Sequence, residues 1–175
     1  SLAYLFEHGA ENEARGTRSK ELLDVALEIA DPTQCLYLNK ARGSQKKYIA
    51  AELLWYYMGR NDVKFISKWA KFWETIQNPD GTANSAYGNL IFKTTNPHGF
   101  SQYQWAMQSL IADRNTRQAI MHFNAPVHQY SGNKDFVCTM YANCHIRNNR
   151  FYMTVFMRSN DAIWGTPTDV AFFCS

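Results

Sequence analysis

The sequence predicts an α+β fold in which a mixed, twisted sheet is backed by helices. Two changes along the chain carry that prediction. Apolar residues recur at three- and four-residue spacing as far as Ile111, whereas from Arg117 onward the spacing shifts toward two. The sequence Arg147-Asn148-Asn149-Arg150 then marks a tight hairpin, because asparagine tolerates the positive φ angles of a type I′ turn. The chain of 175 residues fits a single domain spanning 1–175, since single cores commonly hold ~100–200 residues. No repeat, low-complexity tract or linker divides it.

Ser19–Ile29 reads as a first helix after a short basic loop, with Leu22, Leu23, Ala26, Leu27 and Ala30 at helical spacing and Asp31-Pro32 as its stop. Lys46–Met58 is a clearer helix: Ile49, Leu53, Tyr56 and Tyr57 recur at threes and fours, and Gly59 ends it. A third helical pattern runs from Asp62 to Ile76 through Phe65, Trp69, Phe72 and Trp73, closed by the turn Asn78-Pro79-Asp80-Gly81. A fourth helix falls between His98 and Ile111 around Trp105, Met107 and Leu110. Ala119–Phe123 reads as a strand, and Phe136–Ile146 and Phe151–Met157 as the two arms of the hairpin.

That hairpin yields geometry. With Asn148 and Asn149 in the loop, Arg147 faces Arg150, and counting back along both arms sets Cys138 opposite Ser159 and Thr139 opposite Arg158. Cys138 would then sit beside a cation. A neighbouring guanidinium favours thiolate over thiol, and the thiolate is the nucleophile. A strand cysteine without such neighbours reads instead as a small buried hydrophobe.

Composition narrows the function classes. Hydrophobic residues make up 46% and aromatics 15% of the chain, enough for a core. Lys and Arg number 18 against 15 acidic residues, and the resulting +3 is too mild to make a nucleic-acid binder by charge alone. An anionic small molecule fits that balance. Cys35, Cys138, Cys144 and Cys174 show neither zinc-site spacing nor the density of a disulfide scaffold, so a reducing, cytoplasmic setting is expected. His8, His98, His122 and His128 lack ligand spacing, and no metal is expected. No stretch approaches the ~20 apolar residues of a membrane helix, and the start lacks a signal-peptide pattern. The start at Ser1 and the apolar ending Val170–Ser175 suggest a trimmed piece of a longer chain.

Further landmarks accompany Cys138: Glu52-Leu53-Leu54-Trp55 on a helix, Tyr87-Gly88 after a turn, Thr116-Arg117 opening a strand, and Arg158-Ser159-Asn160-Asp161 followed by Gly165 and Asp169. In this order they resemble the thymidylate synthase superfamily, and within it the phage deoxycytidylate hydroxymethylases, over nearly the whole chain. The resemblance implies a homodimer that takes a pyrimidine nucleoside monophosphate and 5,10-methylenetetrahydrofolate. It implies that Cys138 adds to carbon 6 of the pyrimidine, so that carbon 5 becomes nucleophilic and attacks the one-carbon unit. Glu52 would manage proton transfers through bound water, and its neighbours Ala50-Ala51 and Leu53-Leu54-Trp55 argue that it is buried.

By the same resemblance Arg158 and Ser159 hold the phosphate, Arg117 reaches it across a dimer interface, and Arg15 reaches it from the amino-terminal loop, with Arg18 a close competitor. Arginine's planar fork suits phosphate oxygens. Tyr87 is implied to contact substrate, Trp73 to lie under the pterin, Asp161 to bind the pterin and serve catalysis, and Gly165 to line the cofactor site. Trp73 by itself reads as a core aromatic. The family usually carries two consecutive arginines where this chain has Arg117-Gln118, so one phosphate contact is missing or comes from Arg114.

Asp169 speaks for the base. Cytosine presents an N4 amino donor, whereas uracil presents an O4 acceptor. An ionised carboxylate only accepts. It can therefore take hydrogen bonds from N4 and a protonated N3 but meets O4 lone pair to lone pair, a mismatch that can discriminate by roughly 10⁴ or more. Aspartate at this place is also what the resembled hydroxymethylases have, and Ala83–Gly88 resembles their version of the turn. Cys144-His145 imitates a nucleophile motif, but its interval to Arg158 is too short and the register pairs Cys144 with Met153, so it reads as structural. The leading expectation is hydroxymethylation of dCMP. A thymidylate synthase or a cytidylate-methylating relative, and an inactive nucleotide-binding fragment, stay open. Family members continue past the Asp169 region, and the sequence does not choose between hydroxymethyl and methyl products.

Overall fold

A computed structural model of the protein describes residues 2–14, 16–36 and 45–175. Arg15 lies outside the described residues. The chain forms two compact units, Ser1–Tyr37 with Asp161–Ser175, and Leu38–Asn160.

In the first unit, α1 (Leu2–His8) leads into an antiparallel pair, β1 (Ala10–Ala14) and β2 (Thr17–Glu21), and α6 (Gly165–Phe173) belongs to the same unit. Glu13 pairs with Arg18 across the hairpin, their side chains 3.7 Å apart, and Lys20 Nζ donates to Phe6 O at 2.8 Å. The predicted helix over Ser19–Ile29 is absent: its first residues end β2, and the rest runs as irregular chain with Asp24 at φ 54°. The reason lies in packing. Leu23 and Leu27 are 78% and 68% exposed, so no buried face supports the segment, and an unsupported helix of this length is marginal in water.

The second unit holds the core. Its helix α2 (Lys46–Tyr57) buries Ile49, Ala51, Glu52, Trp55 and Tyr56 and ends at Gly59, whose φ of 63° allows the chain to turn. The pattern from Asp62 to Ile76 resolves into two short helices, α3 (Val63–Ile66) and α4 (Phe72–Ile76). Val63, Ile66 and Trp73 are buried, while Trp69 and Phe72 face solvent. Helix α5 (Gln102–Ala112) starts later than the periodicity suggests, because Ser101 and Gln104 form a capping box at its amino end.

The sheet has the order β3 (Ile120–His122), β4 (Thr139–Arg147), β5 (Arg150–Met157), with both pairings antiparallel. Asn148 and Asn149 adopt φ of 49° and 58°, the conformation expected for the two-residue loop. From that loop the ladder follows the predicted register as far as Tyr141↔Phe156 and then slips by one, so that Thr139 faces Met157. Met140 is the extra residue of a β-bulge. The helices and antiparallel sheets together give the α+β class that the sequence predicts.

Candidate active site

The bulge decides where Cys138 points. Beyond it the buried residues of this arm are Ala142 and Cys144, whereas on the near side they are Val137, just ahead of β4, and Thr139. Successive strand residues alternate between faces, and a one-residue slip exchanges the faces. An unbulged strand would have aligned Cys138 with Ala142 and Cys144 in the core. The bulge takes it out, and Cys138 is half-buried.

The slip also corrects its partner. Arg158, not Ser159, stands against Cys138: the Arg158 backbone N–H donates to Cys138 O at 2.9 Å, and its Nη2 lies 3.5 Å from Cys138 Sγ. The guanidinium is fixed in place by Nε donating to Val137 O at 3.0 Å and Nη2 to Phe136 O at 2.6 Å, with the Phe136 ring centroid 4.9 Å from it. Cation and sulfur are thus held on the same short arm. Cys144 provides the contrast: it is 1% exposed, and burial pushes its thiol up to about 11, so it is inert at neutral pH.

Glu52 is 6% exposed. Its Oε1 accepts hydrogen bonds from Tyr48 Oη at 2.8 Å and Tyr56 Oη at 3.2 Å. Tyr48 in turn accepts from Trp73 Nε1 at 3.0 Å. Trp73 is 6% exposed and edge-on to Trp55, with centroids 5.2 Å apart, so it stands as a core residue that offers its N–H, not as an open platform under a pterin. The Tyr56 ring stacks on Tyr87 at 5.5 Å, and Tyr87 Oη accepts from Thr139 Oγ1 at 2.9 Å. A continuous set of contacts therefore runs from Trp73 through Glu52 to the residue beside Cys138. Gly88 makes the Tyr56–Tyr87 stack feasible, because a Cβ there would overlap the Tyr56 carbonyl.

Sequence reasoning missed Tyr48 and Tyr56, although the signal was present: they stand four residues before and after Glu52, on one helix face. It also missed Asp135, which is buried and accepts the Ser85 N–H at 2.8 Å, tying the turn before Tyr87 to the arm that carries Cys138.

Two of the predicted arginines fall elsewhere. Arg117 is exposed and precedes β3, whose pairing with β4 runs toward the hairpin loop, on the order of 25 Å along the strand from Cys138 at ~3.3 Å per residue. Arg114 donates to Asn149 Oδ1 at 3.0 Å at that loop. Neither reaches the thiol within one chain. Ser159 is exposed beside Arg158. Asp161, Gly165 and Asp169 belong to the first unit. The Asp161 carboxylate accepts the N–H groups of Ile163 and Trp164 ahead of α6, and Asp169 is half-buried within that helix.

A half-exposed thiol under a fixed guanidinium, joined through buried tyrosines to a buried carboxylate, can deliver a nucleophilic sulfur and exchange protons near it. The fold on which it sits is that of the thymidylate synthases. Thermostable thymidylate synthase A from Bacillus subtilis is similar with a TM-score of 0.59 and 23% identity, over 73% of this chain and 47% of that one. The Thymidylate synthase family model matches residues 1–174, and the chain belongs to that family. Among curated relatives, a deoxycytidylate 5-hydroxymethyltransferase of Enterobacteria phage T4 is 33% identical over 90% of this chain and 62% of its own length. A deoxyuridylate hydroxymethyltransferase of Bacillus phage SP01 is 28% identical over 94% of this chain and 45% of its own. The chain thus spans between about half and two thirds of the length of these relatives.

Proposed function

We propose that this chain carries the nucleophile and the acid–base group of an enzyme that transfers a one-carbon unit to carbon 5 of dCMP, giving 5-hydroxymethyl-dCMP. The observation that carries the reading is the bulged Cys138 with its sulfur 3.5 Å from the Arg158 guanidinium. The thiolate adds to carbon 6 of the pyrimidine, and the electron pair displaced onto the ring makes carbon 5 nucleophilic; once carbon 5 has taken the one-carbon unit and lost its proton, tetrahydrofolate would leave, water would add to the exocyclic methylene as the hydroxyl, and expulsion of the sulfur would restore the ring. Glu52 supports the proton movements that accompany loss of the carbon 5 hydrogen. Arg158 serves both the sulfur and the nucleotide phosphate together with Ser159, and Arg117 serves the phosphate of a second copy.

5,10-Methylenetetrahydrofolate supplies the one-carbon unit when bound. Residues that suit it line a cleft of about 740 Å³, where Lys46, Lys47, Lys68 and Lys71 match carboxylates and the exposed Trp69 and Phe72 match aromatic rings. Preference for cytosine rests on Asp169, through the acceptor-only character of a carboxylate. The two phage relatives, one named for deoxycytidylate and one for deoxyuridylate, make that preference the point to test.

The test is tritium release from [5-³H]dCMP and [5-³H]dUMP with the folate, using the full chain, with mass analysis of the product. Release from dCMP alone, lost in Cys138→Ser, is expected. Asp169→Asn should shift the preference toward dUMP. No release from either nucleotide sinks the catalytic reading, and equal use of both by the wild type sinks the role of Asp169.

A further inference from the structure

The hydroxyl of Tyr48 is placed to do more than fill space. An indole N–H can only donate, so the 3.0 Å contact from Trp73 Nε1 occupies Tyr48 Oη as an acceptor. That leaves the phenolic proton for Glu52 Oε1, 2.8 Å away. With Glu52 ionised, and so acceptor-only, the chain runs in one direction, from Trp73 to Tyr48 to Glu52. Tyr56 brings a second hydroxyl to the same oxygen from one helical turn further on. Burial alone would drive a carboxylic acid toward its neutral form, whereas hydrogen bonds donated to the anion favour the charged one. A chain of donors also polarises each successive bond.

We propose that Tyr48, oriented by Trp73, is a positioning residue that holds the Glu52 carboxylate ionised and in one orientation for the reaction at carbon 5. This rests on the reading of Glu52 as the group that manages protons. It gives the buried Trp73 a part in the site different from stacking. Tyr48 also lines the basic cleft, so the same side chain borders the space assigned to the folate and touches the carboxylate.

The test uses the full chain with Tyr48→Phe, which removes one hydroxyl and keeps the ring. The expected result is a kcat for tritium release from [5-³H]dCMP lowered about tenfold to hundredfold, the range one hydrogen bond to a charged group carries, with KM for dCMP unchanged. In a Glu52→Gln background the same substitution should add nothing. A second readout does not depend on turnover: the Trp73 indole ¹⁵N–¹H resonance, assigned with Trp73→Phe, should move on Glu52→Gln in the wild type and stay still in Tyr48→Phe. A kcat unaffected by Tyr48→Phe while Glu52→Gln abolishes release overturns the inference alone. An indole signal blind to Glu52→Gln also overturns it. Undiminished release in Glu52→Gln overturns the underlying reading of Glu52 and this inference with it.

Discussion

Replacing Arg158 with Met removes the charge from the sulfur's neighbour while keeping a long side chain. At 3.5 Å the attraction between a unit cation and a thiolate is about 1.2 kcal/mol in a water-like dielectric and about 4.7 kcal/mol at an effective dielectric of ~20. Arg158 is exposed, so the low end governs, and roughly 1–2 kcal/mol is the figure to test. With tenfold per ~1.4 kcal/mol, the thiolate fraction of Cys138 at neutral pH should fall about tenfold. A more basic thiolate is the better nucleophile, with a Brønsted slope of about 0.4–0.5, so alkylation by iodoacetamide should slow about three- to fivefold. The assay is peptide-resolved alkylation, with buried Cys144 as the silent control. At high pH, where both proteins are ionised, the order should reverse, the variant reacting about threefold faster, and the difference at neutral pH should narrow in strong salt. An unchanged rate at neutral pH would refute the electrostatic argument. A slowdown persisting at high pH would show instead that loss of the bonds to Val137 O and Phe136 O has displaced the arm.

Gly88→Ala should destabilise the protein by about 3 kcal/mol, the upper range for overpacking, because the new methyl meets fixed backbone at Tyr56; the denaturant midpoint reports it. His128 gives a pH dependence. Burial lowers its affinity for a proton, the nearby Asp135 opposing this in part. The folded protein thus favours neutral His128 more than the unfolded chain does. The stability this contributes is complete above the unfolded value near 6.5 and is lost as pH falls below it. His128→Gln should flatten the drop in melting temperature between pH 7.5 and 5.5, and an unchanged drop would assign the acid sensitivity to other groups.

What was legible in the sequence was local. The Asn148-Asn149 loop, the register of the seven pairs nearest it, the helix over Lys46–Met58 and the burial of Glu52 among apolar neighbours all follow from propensity and periodicity over a few residues. Where those signals lacked a partner to pack against, they misled: Leu22–Ala30 has helical spacing, yet with its leucines in solvent nothing compensates the cost of ordering it.

Cys138, Arg158 and Glu52 could be named from sequence as candidates, and Cys144 set aside, because residue type and order limit the chemistry available. Their arrangement could not. A bulge leaves no mark in composition, since Met140 becomes the extra residue only when two strands settle their pairing against a core that accepts Thr139 on one side of the slip and Ala142 on the other. Likewise Trp73 joins Tyr48 only because α4 folds back on α2, across 25 residues of chain. Sequence determined which groups the site could use; tertiary packing decided that the thiol faces the guanidinium and that the carboxylate is held by tyrosines, since contacts between distant segments exist only once the core is closed.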